Sequence, residues 1–324
     1  MPVRYAFSLV NIDSKNSIFT KRQSGQGYEG SDTRLPARSG SSLNCVSMNN
    51  HTVTFSNGQQ VLALGQGTYM MGRSWLKRRQ EIKALRAGID LGMTAIDTAE
   101  RYKNERLVGQ AIRGLRDKVF LVTKVQPFNA KHSNDVIAAC ERSLSKLGTD
   151  FIDLYLLHWT GSLSSYDETV AAMTLLCEQG KVRMWGVSNM DVPKMERFFS
   201  IINGDACAAN QVRYHVAARD IERDLIPWCK EHCIVVMAYS PMGEGKLVQD
   251  PTLSAIGRKY NPTAAQVALA WSVRNTNILS IPKASSPSHV LENFKSLSIP
   301  LTEEDISEID RVYPPPAGNI PAAT

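Results

Sequence analysis

The sequence predicts an α/β fold, a (β/α)8 TIM barrel that an N-terminal β-hairpin closes at the bottom. Short apolar segments rich in Val, Ile and Leu alternate along the chain with amphipathic stretches of helical periodicity. The segments are continuously apolar, which is typical of parallel strands covered by helices on both faces. Eight of them occur, at 61–67, 94–98, 119–125, 152–158, 183–188, 208–212, 234–240 and 278–282. Eight strand-helix units are the number that a closed barrel requires.

The hairpin is predicted from the residues that precede the first barrel segment. The runs His51 to Phe55 and Gln59 to Leu64 flank the dipeptide Asn57-Gly58. Asn-Gly favours a tight two-residue turn, because both of its central positions need a positive φ.

The stretches between the apolar segments predict helices at 77–91, 133–147 and 263–274, where apolar residues recur at helical spacing. A doubly wound dinucleotide-binding fold is the alternative to a barrel. That fold needs Gly-x-Gly-x-x-Gly after its first strand, and Met70 stands where the third glycine belongs after Gly65-Gln66-Gly67. The barrel is therefore favoured.

Residues 1–47 differ from the rest of the chain. They are rich in Ser, Gly, Asn, Gln and Arg and have no sustained periodicity, so we expect a disordered extension. A targeting segment and a true start at Met48 are the two other interpretations of this stretch. Residues 48–324 are expected to form a single domain.

Composition and charge limit the partners. Hydrophobic residues make up 43% of the chain and charged residues 21%, as in folded globular proteins, and no apolar run reaches the roughly 20 residues of a membrane-spanning helix. The net charge is +6, of which the first 47 residues carry half. We therefore expect neither a nucleic-acid partner nor a membrane partner, since either needs a dense basic stripe.

The six cysteines are dispersed and form no Cys-x-x-Cys pair, which indicates free thiols in a reducing compartment. We expect a cytoplasmic protein, although organellar targeting by residues 1–47 stays open. Cys229, His232 and Cys233 lack a second group of ligands, so no metal site is predicted.

Four residues at predicted strand ends carry proton-transfer chemistry. Asp97 ends the second strand, with Tyr102 five residues later, Lys124 ends the third and His158 the fourth. A barrel gathers its chemistry at these ends. A tyrosine, with a pKa of about 10, needs a cation nearby to release its proton; Lys124 would supply the charge and Asp97 would hold the lysine. A neutral His158 can donate a hydrogen bond to a carbonyl oxygen.

This group indicates a reductase. A serine hydrolase would need Gly-x-Ser-x-Gly, which is absent, and no cysteine has a clear electropositive neighbour in the sequence. Each residue alone also has an ordinary structural interpretation, as a helix cap, a solvated strand end or a buried histidine.

Over residues 52–315 the motifs resemble those of the aldo-keto reductases. The most specific is Asp97-Thr98-Ala99 followed by Tyr102, Asn104-Glu105 and Val108-Gly109. In family order follow Val122-Thr123-Lys124, His158-Trp159, Gly186-Val187-Ser188-Asn189, Asn210-Gln211, Tyr239-Ser240-Pro241 and Ile281-Pro282-Lys283. Met71-Gly72, Pro227-Trp228-Cys229 and Pro241-Met242-Gly243 resemble the bacterial and protozoan branch that reduces aldehydes and ketoaldehydes.

The resemblance implies a role for each residue. Tyr102 would be the general acid, Lys124 and Asp97 would tune it, and His158 would position the substrate oxygen. The implied cofactor is NADPH, with NADH also open. Its binding residues would be Ser188, Asn189 and Gln211 at the carboxamide, Tyr239 stacked on the nicotinamide with Ser240 and Pro241 beside it, and Lys283, Ser285, His289, Glu292 and Asn293 at the adenosine 2′-phosphate and adenine. His289 stands where the family usually has arginine, so we expect a weaker preference for NADPH.

The expected function is NADPH-dependent reduction of small aldehydes and ketones by a monomer. Trp75 and Trp159 are the candidate apolar walls of the substrate pocket, although ordinary packing would also explain them. The alternative is a nucleotide-sensing regulatory subunit resembling the β subunits of potassium channels. The same residues also serve alcohol oxidation, so the reaction's direction stays open.

Overall fold

The computed structural model describes residues 51–317 except residues 162, 164 and 165. The extension of residues 1–47 and the domain boundary at residue 48 lie outside the described residues, so both stay predictions. Within the described ranges, no helix is long and apolar enough to cross a membrane.

The chain opens with an antiparallel hairpin of β1 (Thr52–Thr54) and β2 (Gln60–Leu62). The hairpin is confirmed, but its turn differs from the expected two-residue type. The Phe55 N–H donates to the Gln59 carbonyl at 2.9 Å, and the Gly58 N–H donates to the Phe55 carbonyl at 2.8 Å. Only Gly58 has a positive φ, of 84°. The loop therefore has three residues and ends on a left-handed glycine, a geometry that also suits the twist of a hairpin.

Eight parallel strands form one sheet in which each strand pairs with the next along the chain. They are β3 (Gln66–Gly67), β4 (Ala95–Asp97), β5 (Phe120–Val125), β6 (Ile152–Leu157), β7 (Val182–Ser188), β8 (Ala209–Arg213), β9 (Val235–Tyr239) and β10 (Ile278–Ser280). The first and last strands meet through backbone hydrogen bonds: Ser280 N–H donates to Ala63 O at 2.8 Å and Gly67 N–H to Pro282 O at 3.0 Å. The barrel predicted from the sequence is confirmed.

One predicted strand was wrong in its extent. The segment 61–67 contains the end of β2 and the whole of β3, because the chain leaves the hairpin and enters the barrel within one apolar run. The two glycines of that run allow close packing. A Cβ added at Gly65 would lie 2.8 Å from the Ala95 carbonyl oxygen, and one added at Gly67 would lie 2.6 Å from the Ile281 oxygen. Gly-x-Gly thus serves barrel closure here.

Ten α-helices are found in the described part of the chain, and the three predicted helices are among them. They are α1 (Arg78–Asp90), α2 (Glu105–Ile112), α3 (Ser133–Leu147), α4 (Asp167–Glu178), α5 (Val192–Phe199), α6 (Leu225–Glu231), α7 (Pro251–Tyr260), α8 (Ala264–Ser272), α9 (Pro287–Lys295) and α10 (Glu303–Val312). In α3 every residue of the apolar stripe is buried: Val136, Ala139, Cys140, Leu144 and Leu147. The pattern of period 3.6 therefore identified the face that packs on the barrel.

The hairpin lies at the N-terminal ends of the strands. Phe55 stacks on Phe120, the first residue of β5, with ring centroids 4.5 Å apart. Val53 and Val61 belong to the same buried cluster as Ala209 and Val235, which begin β8 and β9. The expected closure of the barrel bottom is confirmed, so the opposite end is left for chemistry.

Candidate active site

A buried ion pair lies at the C-terminal end of the barrel. The Lys124 Nζ is within 2.7 and 2.8 Å of the two Asp97 carboxylate oxygens, and it also donates to the Thr98 carbonyl at 2.8 Å. The Lys124 side chain is fully buried. An isolated ammonium is costly to bury, so the carboxylate and the carbonyl hold this cation in place.

Tyr102 lies against this pair. The 3-10 turn Glu100–Tyr102 brings its hydroxyl oxygen to 3.4 Å from the Lys124 Nζ. An ammonium can only donate, so the tyrosine oxygen accepts and its own O–H stays free to donate to a substrate. Burial, with the Asp97 charge second, raises the pKa of Tyr102 above its ordinary value. The cation that was expected to ease proton release is largely neutralised by Asp97, and the hydroxyl is firmly protonated at neutral pH.

His158, at the end of β6, faces Tyr102. The two rings meet edge to face with centroids 5.6 Å apart. Burial, assisted by the charges of Lys124 and Arg101, lowers the pKa of His158 to about 2. The imidazole is therefore neutral throughout the physiological range. Its Nδ1 is buried and has no hydrogen-bond partner among the described residues.

A chain of amides connects these groups to the next strands. Gln211, in β8, donates from Nε2 to the Asp97 Oδ1 at 2.7 Å. Asn189, which follows β7 with a φ of 60°, donates to the His158 carbonyl at 3.2 Å. The Tyr239 hydroxyl donates to the Asn189 Oδ1 at 2.9 Å. The ends of six strands, β4 to β9, are thereby joined in one hydrogen-bonded assembly that includes the pair at Asp97.

Ser188 belongs to the same assembly. Its hydroxyl donates to the Gln211 carbonyl at 2.7 Å and accepts from the Asn189 amide at 3.0 Å. Neither Ser188 nor Asn189 caps the following helix, because the cap of α5 is Asp191, whose carboxylate accepts from the Lys194 N–H at 3.0 Å. The two residues are therefore free of that structural task.

The remaining predicted cofactor residues form two groups, one directly after β9 and one between β10 and the end of α9. We call the group that follows β10 the phosphate end of the site. Ser240 has a φ of 52° and begins a turn with Pro241, directly after the half-buried Tyr239. Ser286 caps α9 by accepting from the His289 N–H at 3.3 Å. The phosphate end consists of Lys283, His289 and Glu292, which are exposed, Ser285, which is half-buried, and Asn293, which is buried.

The aldo/keto reductase family profile matches residues 63–314. The chain belongs to the aldo/keto reductase family. It is 45% identical over 279 residues to the methylglyoxal reductase YeaE of Escherichia coli (strain K12), covering 84% of this chain and 98% of that protein. It is also 32% identical to the glyoxal reductase of Bacillus subtilis (strain 168), over 80% of this chain and 91% of that protein. These matches confirm the resemblance to the bacterial branch.

Solved structures agree with this membership in the aldo/keto reductase family. An aldo/keto reductase from Klebsiella pneumoniae in complex with NADP and acetate matches with a TM-score of 0.80 and 46% identity, over 83% of this chain and 98% of that chain. A second structure from Klebsiella pneumoniae, in complex with NADPH, matches with a TM-score of 0.79 and 47% identity, over 82% and 95%. The sequence-based expectation of an oxidoreductase is confirmed.

The two tryptophans predicted as pocket walls have different surroundings in this aldo/keto reductase. Trp159 is half-buried and stacks on His158 with ring centroids 3.7 Å apart, while Arg101 lies 4.8 Å over its ring. Trp75 is 82% exposed and is not packed in the core, which removes the ordinary explanation for it. Besides His158, the ring of Tyr69 contacts Tyr102, with ring centroids 5.1 Å apart.

Sequence reasoning missed Tyr69, and it named Asn104 within a motif without assigning it a role. Tyr69 lies two residues after β3, in the position where barrel chemistry is expected, and that position was the available signal. Asn104 is buried, accepts from the Thr98 hydroxyl at 2.7 Å and donates to the Thr68 carbonyl at 2.7 Å. It therefore ties the segment that carries Tyr102 to the ends of two strands, a role that only the fold reveals.

Proposed function

We propose that this protein reduces small aldehydes and ketoaldehydes with NADPH, with Tyr102 as the general acid. The observation that carries the proposal is the buried pair of Lys124 and Asp97, which contacts the Tyr102 hydroxyl beside a neutral His158. Proton donation to a carbonyl oxygen needs an acid held in a fixed position, and the paired Lys124 holds the Tyr102 hydroxyl in this way. A lysine whose charge is paired with a buried carboxylate is not a component of a serine hydrolase site.

The residues present fit a nicotinamide cofactor. Ser188, Asn189 and Gln211 offer hydroxyl and amide groups, which match a carboxamide because it both donates and accepts hydrogen bonds. Tyr239 is half-buried and its hydroxyl is anchored on Asn189, which suits a ring-stacking platform. When bound, the reduced nicotinamide supplies a hydride. Relatives crystallised with NADP and NADPH support the same assignment.

Tyr102 holds the proton that the carbonyl oxygen would receive. Because Lys124 donates to its oxygen, the tyrosine O–H points its proton away from the cation. Negative charge that develops on Tyr102 after proton transfer is adjacent to the Lys124 ammonium, which stabilises it. Asp97 keeps that ammonium at a fixed distance and protonated. The neutral imidazole of His158 orients the substrate oxygen by a hydrogen bond.

The phosphate end supports NADPH ahead of NADH. Lys283 provides an exposed cation, and the N-terminus of α9 provides backbone N–H groups for a phosphate. His289 lies on the first turn of α9 and cannot form the bidentate contact of an arginine. We therefore expect the protein to use NADH measurably as well. The proposal also includes that the protein is a cytoplasmic monomer and that its substrates are of the methylglyoxal type.

The test uses the full-length protein and follows nicotinamide absorbance with methylglyoxal, glyoxal and a simple aldehyde. We expect turnover with NADPH that exceeds turnover with NADH. The regulatory-subunit alternative predicts tight NADPH binding, seen as fluorescence quenching, without turnover of any of the three compounds. That outcome would replace the proposed function, because the cofactor site would then be intact and the chemistry lost.

A further inference from the structure

The outer faces of α1 and α2 and the loops that flank them form a strongly cationic surface, which we call the α1–α2 surface. From residue 73 to residue 118 eleven Lys and Arg side chains are exposed, against two exposed carboxylates. The two helices pack against each other, so these charges share one side of the molecule. The cations are Arg73, Lys77, Arg78, Arg79, Lys83, Arg86, Arg101, Lys103, Arg106, Arg113 and Lys118.

These cations have no carboxylate partners within the described ranges. The buried carboxylates of the same stretch are engaged elsewhere. Glu81 accepts from the Gly72 N–H, Glu100 from the Gln126 N–H, and Glu105 from the Thr123 hydroxyl. The α1–α2 surface therefore carries unbalanced positive charge, and like charges that repel one another gain most from an external anion.

Exposed apolar side chains border this surface. In the loop 68–77, Trp75 is 82% exposed, Leu76 71%, Tyr69 57% and Met70 44%. Trp75 and Leu76 are the central residues of a turn closed by a hydrogen bond from the Lys77 N–H to the Ser74 carbonyl. Lys77, Arg78 and Arg79 follow them directly. Apolar groups at the tip of a turn, with cations immediately behind, suit an interface between water and lipid.

We propose that the α1–α2 surface docks the protein on an anionic lipid bilayer, with Trp75 and Leu76 inserted among the headgroups. Cations attract anionic headgroups, and tryptophan favours the headgroup region. Nucleic acid is the other polyanion to consider. Aliphatic side chains such as Leu76 and Met70 cannot stack on bases but do gain free energy in lipid, which favours the bilayer.

Charge along the sequence led to the expectation that the protein has no membrane partner, and the docking proposal differs from it. That expectation required a dense basic stripe, and the fold assembles one from α1, α2 and their loops. The same loop carries Tyr69, which contacts Tyr102, so docking would place the barrel mouth beside the bilayer. Carbonyl compounds dissolved in lipid would then be accessible substrates. This last consequence rests on the proposed function, whereas the docking itself does not.

The test is sedimentation of the full-length protein with vesicles, which needs no catalysis. Vesicles of phosphatidylcholine with about 30% phosphatidylserine are compared with vesicles of phosphatidylcholine alone. We expect binding to the anionic vesicles and little to the neutral ones. Raising NaCl from about 0.1 to 0.5 M is expected to release most of the protein, because salt screens charges at this range.

Two double variants locate the contact. Trp75→Ser with Leu76→Ser is expected to weaken binding at least about 10-fold, since two exposed apolar groups are lost. Arg79→Gln with Lys83→Gln is expected to weaken it about 10- to 30-fold. Matched controls elsewhere are Ile202→Ser, which removes another exposed apolar residue, and Lys230→Gln with Arg258→Gln. Circular dichroism verifies that each variant is folded.

Three results would overturn the docking. The first is no preference of the wild type for anionic vesicles. The second is equal binding by the α1–α2 variants and the controls, which would assign the contact to another part of the chain. The third is salt-sensitive binding to single-stranded DNA without binding to vesicles, which would assign the surface to nucleic acid. Failure of turnover on soluble aldehydes would affect only the proposed function.

Discussion

The two ends of the proposed cofactor site are built on opposite principles. At the acid end, formed by Asp97, Tyr102, Lys124 and His158, the ion pair is buried and its hydrogen bonds are made within the protein. At the phosphate end Lys283 and His289 are exposed, and neither forms an ion pair within the described residues. The acid end is therefore organised by contacts within the protein, whereas the charged groups of the phosphate end are exposed to solvent. Substitutions at the acid end should affect folding and catalysis together, and those at the phosphate end should affect binding alone.

The largest effect is expected from Lys124→Met. Removal of the cation leaves the Asp97 carboxylate buried without its charge partner, which we expect to cost about 3–5 kcal/mol of unfolding free energy. Activity should fall by a factor of about 10³ or more because the acid loses its neighbouring charge. Urea unfolding and steady-state kinetics measure both. The matched control is Lys283→Met, expected to change stability by less than about 0.5 kcal/mol and to raise the KM for NADPH. Equal stability of the two variants would contradict the comparison.

Gln211→Leu tests the link between cofactor binding and the acid end. The substitution removes the 2.7 Å hydrogen bond to Asp97 and a proposed contact to the carboxamide. We expect about 1–3 kcal/mol of lost stability, and NADPH binding weakened about 10-fold in fluorescence titration. Gln110→Leu, on the exposed side of α2, is the control and should change neither. A variant with weak cofactor binding but full stability would mean that Gln211 does not support Asp97.

How much of this arrangement the sequence could predict depends on the range of the interaction. Seven of the eight barrel strands are confirmed, because continuous apolar runs report burial on both faces. The run 61–67 failed because two elements share one apolar stretch. The hydrogen bond between Gln211 and Asp97 joins residues 114 positions apart, and no local pattern encodes such a contact.

In the candidate site, too, features set by local sequence could be predicted and those set by long-range contacts could not. The positions of Asp97, Lys124 and His158 at strand ends could be predicted, since a barrel brings those ends together. The contact of Tyr69 with Tyr102 could not, because it depends on how one loop folds. The effect of burial on Tyr102 was also hidden: sequence reveals a nearby lysine but not that its charge is already paired.

The pH dependence of the unfolding free energy tests whether His158, at the acid end, is buried in its neutral form. Because burial lowers the pKa of His158 to about 2 from 6.5, the unfolded chain binds a proton there that the folded chain does not, from about pH 6.5 downward. The stability that the neutral His158 contributes is thus fully present above pH 6.5 and is lost as the pH falls. On acidification, the free energy of unfolding of His158→Gln should fall less than that of the wild type, by up to about 1.4 kcal/mol per pH unit. Urea unfolding at pH 7.5, 6 and 5 measures this difference. Parallel pH curves for the two proteins would contradict a neutral buried His158.

The smallest effect is expected from His289→Arg at the phosphate end. A guanidinium near the N-terminus of α9 gains a charge-assisted contact with the 2′-phosphate, so NADPH affinity should rise about 5- to 10-fold at low salt. NADH affinity should not change, since NADH lacks that phosphate. Titrations with both nucleotides, at about 0.05 and 0.5 M NaCl, measure the difference. An equal gain for NADH would place His289 away from the phosphate.

Tyr102→Phe, compared with Tyr69→Phe, tests the central claim that one tyrosine hydroxyl donates the proton. Both variants lose a hydroxyl from rings that contact each other, but only Tyr102 contacts Lys124. The measurement is the rate of NADPH oxidation with methylglyoxal, together with NADPH binding by fluorescence. We predict that Tyr102→Phe binds NADPH normally and loses activity by a factor of about 10² to 10⁴, while Tyr69→Phe stays within a few-fold of wild type. Similar activity in Tyr102→Phe and wild type would contradict the account and assign the proton to another group.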